Sequence, residues 1–168
     1  MSANEALRTR TVEWEDPMLM AQTGMTMNGL DYLQMMIAGK LPPPPIAVLM
    51  GFGVAEVDKG RAVFTVEPGE YHYNPIGVVH GGLISTLCDS ALGCAIHTML
   101  SAGTGYTTLE LHVNFVRPLT RDTGLVRCEA NVLHVGRRMG TAEAKVTDRN
   151  GKLYGHATTT CMIFPMSE

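Results

Sequence analysis

Residues 82 to 100 break with the pattern on either side of them. Elsewhere in the second half of the chain apolar and polar residues alternate, the period of a strand with one buried face. From Gly82 to about Leu100 the apolar residues Leu83, Leu87, Ala91 and Cys94 instead recur every three or four positions, with Ile84, Cys88 and Ala95 beside them. One long helix among one-faced strands buries both apolar patterns only if the sheet curls around it. The expected fold class is therefore α+β, an antiparallel sheet wrapped around one long central helix. Val54, Val57, Ala62, Phe64 and Val66 flank Asp58-Lys59-Gly60 and predict a hairpin. Leu109, Leu111, Val113 and Phe115 alternate with Glu110, His112 and Asn114, which predicts one buried and one polar face before Pro118 ends the strand. Val126, Cys128, Ala130 and Val132 mark another strand, and Ala142, Ala144 and Val146 a further one before the turn Asp148-Arg149-Asn150-Gly151. The last strand is expected from Leu153 to about Phe164.

The run Pro42-Pro43-Pro44-Pro45 removes four backbone donors and favours an extended polyproline form, so it reads as a boundary. It separates an N-terminal arm and helical extension, residues 1–45, from the main domain, residues 46–168. Within the extension, residues 1–15 read as a loose arm. Residues 17–39 read as one or two helices that start at Asp16-Pro17, break near Gly24 and Gly29, and carry a methionine-rich apolar set. Such a segment is expected to dock on the main domain or on a partner subunit.

Composition excludes several classes. With 168 residues and 45% hydrophobic side chains, the chain can bury roughly 70% of its unfolded surface and needs no staples. A net charge of -3, with no basic block longer than Arg137-Arg138, argues against nucleic-acid binding. Cysteines at 88, 94, 128 and 161 fit neither a redox pair nor a zinc site and read as buried apolar residues. The first thirty residues carry Glu5, Arg8, Arg10, Glu13, Glu15 and Asp16, and there is no apolar run of about 18 residues. No membrane partner is expected, and the cytoplasm is the expected location. The six histidines form no HxxxH or HExxH pair and no GxSxG elbow is present, so neither a metal nor another cofactor is expected.

The chemistry gathers between Asn74 and Asp89. His80-Gly81-Gly82 stands at the start of the helix, where uncovered N–H groups and the helix dipole favour an oxyanion or a polarised carbonyl. Asp89 lies on that helix between Ser85 and Gly93, both small, so a groove is expected beside it. Taken singly, the glycines read as a tight turn, His80 as a structural histidine and Asp89 as a structural hydrogen-bonding group. Asp89 is the hardest to dismiss, because a carboxylate in an apolar helix is costly to bury without partners. It follows His80 by nine residues, roughly 13 Å along a straight helix, too far to serve its own glycine turn. A two-fold dimer with antiparallel helices would bring it to the partner's Gly81.

The pattern Asn-x-x-Gly-x-x-His-Gly-Gly-x-x-x-x-Leu-x-Asp, from Asn74 to Asp89, resembles the signature of the hotdog-fold acyl-CoA thioesterases of the PaaI-like, phenylacetate-degradation type. Asn114-Phe115-Val116-Arg117-Pro118-Leu119 and Val135-Gly136-Arg137-Arg138 are similar to further stretches of that family, so the resemblance spans about residues 46 to 164. It implies that Asp89 is the catalytic carboxylate, acting as nucleophile or as general base. It further implies that the Gly81 N–H polarises the thioester carbonyl, with His80 beside it and Asn74 helping to place carbonyl or water. In similar enzymes a strand hydroxyl positions water, which points to Thr108 or Thr107, with Thr108 counted among the catalytic residues, while Gly82, Thr107, Arg137 and Arg138 would bind substrate, the arginines meeting the coenzyme A phosphates.

The implied activity is hydrolysis of a medium-chain or aromatic acyl-CoA, by a homodimer as the minimal unit and a homotetramer as the assembly. A non-catalytic acyl-CoA binding or regulatory module is a second reading, and a hotdog hydratase or dehydratase a third. The six methionines between Met18 and Met36 would suit a deformable lining if the extension caps the acyl pocket.

Overall fold

The computed structural model describes residues 7–166. Six strands form one antiparallel sheet: β1 (Phe52–Asp58), β2 (Arg61–Val66), β3 (Thr104–Phe115), β4 (Val126–Val135), β5 (Met139–Asp148) and β6 (Leu153–Pro165). Their order is β1-β2-β4-β5-β6-β3. Three short helices precede them, α1 (Pro17–Thr26), α2 (Gly29–Ile37) and α3 (Pro45–Met50), and the long helix α4 spans Gly81–His97. α4 packs against all six strands. The expected sheet curled around a central helix is the observed fold.

What lets the sheet close on α4 is the size of the residues beneath the helix. Ala62, Ala130, Ala142, Ala144 and Ala157 are buried on the strands, and between them Phe64, Val66, Val126 and Val146 fill the core. From α4 come Leu83, Ile84, Leu87, Cys88, Ala91 and Ala95, as the periodicity predicts, joined by Leu92 and Ile96. A helix covered on most sides needs a wider apolar face than a surface helix, which is why those two were not expected. The cysteines are free thiols; Cys88, Cys128 and Cys161 are buried and Cys94 is half-buried.

β3 departs from its expected alternation. Leu111 and Val113 pack against the core as predicted, but Leu109 is 58% exposed and Phe115 55%. The register against β6 slips between Thr108 and Glu110, so Leu109 is an extra residue and the side-chain parity resets. Even-numbered Tyr106 and Thr108 therefore share the helix side with odd-numbered Leu111 and Val113. An unbulged strand would turn either Thr108 or Leu111 away.

The extension consists of two helices, as one of the sequence alternatives had it. The break falls at Met27-Asn28, with Asn28 capping α2 through the Asp31 N–H at 3.0 Å; Gly24 lies inside α1 and breaks nothing. Gly29 rests directly on the C-terminal end of α4, and its N–H donates to the Leu100 carbonyl at 3.1 Å. Leu33 and Met20 are buried, so the extension docks on the main domain. The proline run is not extended to its end: Pro44 is extended, but Pro45 opens α3, where a missing N–H costs nothing.

The outer face of β1, β2 and β4 carries an ion network. Arg61 contacts Glu56, Asp58 and Glu129 at 2.8, 3.2 and 2.8 Å, and Arg127 binds Glu56 and Glu129. Hydrogen bonds from Arg127 and then Arg61 lower the Glu56 carboxyl from its ordinary 4.5 to about 2. A depressed carboxyl stabilises the fold above its unfolded value and stops doing so once protonated. Stability is therefore expected to fall as pH drops from about 4.5 to about 2, and Glu56→Gln to flatten that part of a thermal-melt profile. Because the network is solvated, added salt should shrink the difference.

Candidate active site

Asp89 sits midway along α4 and faces β3. Its Oδ1 accepts a hydrogen bond from the Thr108 hydroxyl at 2.8 Å, a contact that the Leu109 bulge makes possible. Oδ2 meets no hydrogen-bond donor among the described residues. Thr107 projects to the opposite, exposed face of the strand, so only one of the two candidate threonines reaches the carboxylate. One turn beyond Asp89, a β-carbon at Gly93 would lie 2.7 Å from the Tyr106 ring; glycine here lets that ring close against the helix.

Asp89, Ser90 and Thr108 open into a cavity of about 330 Å³. Its further lining comes from Cys94, His97 and Tyr106 of the main domain and from Met20, Tyr32 and Leu33 of the extension. A second cavity of about 300 Å³ shares Met20, Tyr32, His97 and Tyr106 with it and continues to Met25 and Phe164. Burial pushes the Cys94 thiol up to about 12, with the Asp89 charge adding to the shift, so it is a neutral wall and not a nucleophile. Burial holds the His97 imidazole below its ordinary range.

The glycine turn lies at the other end of α4. His80 is the N-cap residue, and its Nδ1 accepts from the Gly82 N–H at 2.8 Å. The Gly82 donor, expected to bind substrate, is thus already taken. The Gly81 N–H has no acceptor among the described residues. A β-carbon at Gly81 would lie 3.0 Å from the Phe115 ring, so this turn sits beside the far end of β3. Thr108 and Phe115 are seven residues apart on an extended strand, and Gly81 and Asp89 are eight apart on a helix, about 12 Å. Within one subunit the carboxylate and the free donor are separate, as expected.

Asn74 has a local task. Its Oδ1 accepts from the Ile76 and Val78 N–H groups at 3.1 and 3.2 Å, and its backbone pairs with Val78. The side-chain oxygen therefore shapes the loop leading to Gly81. Arg137 and Arg138 are exposed on the β4–β5 connection and do not line the Asp89 cavity. Among the lining residues that sequence reasoning did not single out are Tyr32, His97 and Tyr106. His97 carried a legible signal, since it stands eight residues after Asp89 and four after Gly93, on the same side of the helix.

Comparison with known proteins agrees with this architecture. Residues 76–154 match the Thioesterase superfamily. The chain is 29% identical over 104 residues to the 1,4-dihydroxy-2-naphthoyl-CoA hydrolase of Listeria monocytogenes serotype 1/2a, covering 62% of this chain and 83% of that one. It is 34% identical over 100 residues to a Saccharolobus solfataricus protein to which an esterase activity is ascribed, covering 60% and 69%. Among solved structures, a mutant form of the phenylacetic acid degradation protein PaaI from Thermus thermophilus superposes with a TM-score of 0.64 and 28% identity, over 70% of this chain and 97% of that one. No helix among the described residues is long and apolar enough to cross a membrane. The motif, the helix-wrapped sheet and these relatives together make the chain a member of the thioesterase superfamily, a hotdog-fold thioester hydrolase of the PaaI-like type.

Proposed function

We propose that the chain hydrolyses a medium-chain or aromatic acyl-CoA to free acid and coenzyme A, with Asp89 acting on a thioester whose carbonyl is held by the partner's Gly81. The observation that carries this reading is the Thr108–Asp89 hydrogen bond at the wall of a largely apolar cavity. One carboxylate oxygen is held in place and the other is left to react. A thioester has weak resonance, so an N–H dipole on its oxygen and a carboxylate or activated water at its carbon suffice. Asp89 either attacks the carbonyl carbon to give an anhydride that water then cleaves, or takes a proton from the attacking water. In both routes the C–S bond breaks and the sulfur leaves as thiolate.

The edge of the sheet supports a dimer. β3 is a twelve-residue strand at the edge, with Leu109 and Phe115 exposed on it, and such an edge is a template for pairing. Antiparallel pairing about a two-fold axis near Leu111-His112 sets Thr108 opposite the partner's Phe115, and so Asp89 near the partner's Gly81. Two such dimers would make the tetramer. His80 fixes the turn through Gly82, Asn74 shapes its approach, and Arg137 and Arg138 are free to meet coenzyme A phosphates. Met20, Tyr32 and Leu33 of the extension act as a pocket wall on the main domain, and the acyl-CoA pool fits the expected cytoplasmic location.

The test is thiol release from short, medium, long and aromatic acyl-CoAs. Turnover of one of the proposed classes supports the reading; binding of all without turnover of any replaces it with the acyl-CoA binding module. Thr108→Val removes one hydrogen bond to a charged group, worth about 1.5–3 kcal/mol. It is expected to lower kcat about ten- to hundredfold as the carboxylate loses its orientation, and the melting temperature by several degrees, read from steady-state kinetics and a melt on the same preparation.

A further inference from the structure

The Asp89 cavity has a polar far end that hydrolysis does not use. His97 lines both cavities. Its ring packs at 5.8 Å from Tyr32 and 5.3 Å from Tyr106, tilted against each. Neither ring nitrogen meets a hydrogen-bond partner among the described residues, yet none of their buried side-chain nitrogens lacks one, so the imidazole keeps its access to the cavity. Its backbone is also fixed, because the Gly29 of α2 lies directly against the His97 carbonyl. An imidazole that is neutral, rigidly placed and unpartnered faces the space beyond the reacting carboxylate.

Resting on the hydrolase reading above, we infer that His97 is a specificity-determining residue that hydrogen-bonds an uncharged polar substituent at the distal end of the acyl group, with Tyr32 of the helical extension closing the pocket around it. The spacing sets the length of that group. Asp89 and His97 are eight residues apart, about 12 Å along α4. Eight residues on are also about 80° around the helix, so the two side-chain ends stand about 14 Å apart. Allowing about 3–3.5 Å from the carboxylate to the reacting carbon and about 3 Å for the hydrogen bond leaves roughly 7–8 Å between carbonyl carbon and polar atom. A hydroxyl borne by a ring and one borne by a short chain both satisfy that distance. A neutral imidazole donates from one nitrogen and accepts at the other, so it suits a hydroxyl in either sense and offers no ion pair to a carboxylate. A plain alkyl group would leave the imidazole dehydrated and unpaired, which is how a polar pocket rejects an apolar analogue.

Two matched pairs test this: 3-(4-hydroxyphenyl)propionyl-CoA against 3-phenylpropionyl-CoA, and 6-hydroxyhexanoyl-CoA against hexanoyl-CoA. Wild type is expected to favour the hydroxylated member of at least one pair by about tenfold or more in kcat/KM, and the pair that responds tells ring from chain. His97→Phe should bring that ratio to about one, by lowering kcat/KM on the hydroxylated member and raising it on the apolar one, and His97→Gln should retain part of it. A wild-type ratio near one in both pairs overturns the inference whether or not the variants fold, and so does a ratio that survives His97→Phe. Affinities for the non-hydrolysable thioether analogues of the same four compounds separate this from the activity itself. A ratio preserved in binding without any turnover contradicts the hydrolase reading alone.

Discussion

Asp89→Asn is expected to lower kcat for acyl-CoA hydrolysis by at least about a hundredfold, with KM and melting temperature little changed. The substitution keeps the shape of the side chain and the oxygen that accepts from Thr108 at 2.8 Å, and it removes the charge that attacks or takes a proton. An amide is neither a competent nucleophile toward a thioester nor a base at neutral pH. The expected split, kcat lost and binding kept, distinguishes a group that touches the reacting atoms from one that holds the helix in place. Loss of fold together with activity would make Asp89 a structural residue, and full activity in the variant would remove it from the mechanism.

Gly29→Val has the largest expected effect on stability. A β-carbon at this position would lie 1.9 Å from the His97 carbonyl oxygen, and the obstacle is backbone at the end of the central helix, which does not swing aside. Either α2 lifts off or the end of α4 shifts. Overpacking of this kind costs about 1–3 kcal/mol or more, so the midpoint should fall by several degrees, about 2–4 °C for each kcal/mol at this chain length. Lifting α2 also removes Tyr32 and Leu33 from the wall of the Asp89 cavity. Discrimination among acyl groups should therefore decline along with stability. An unchanged melting curve would mean that the extension does not depend on this contact.

The fold was legible because two periods meet in one chain. A helix period from Leu83 to Ala95 between strand periods admits few arrangements, and the observed sheet order realises one of them. The bulge at Leu109 was not legible. Its local sequence alternates without interruption, and only the need for Thr108 and Leu111 to face the same helix requires the extra residue. For the same reason Thr107 and Thr108 stayed equivalent in the sequence, while the structure brings one of them to Asp89. Gly81 and Gly82 were told apart there only by the family resemblance, and it is the His80 ring that takes up the Gly82 N–H and leaves the other. The helical extension was recognisable as helix, but its contact with the far end of α4 is long-range. The polar end of the cavity therefore emerges only once α2 rests on His97.

Mixed dimers reveal whether each active site takes its carboxylate from one subunit and its N–H donor from the other. Gly81→Pro deletes the donor at the first position of α4, where proline is tolerated and the extended His80 before it is compatible. Alone, this variant should lose about a hundredfold or more, as expected for one missing oxyanion donor. Co-expressed in equal amounts with Asp89→Asn, it forms mixed dimers in which one site carries both defects and the other carries none. Random pairing makes about half the dimers mixed, each with one intact site, so activity should recover to about a quarter of wild type. A mixture as inactive as either parent would place the carboxylate and the donor in the same subunit and rule out the shared site.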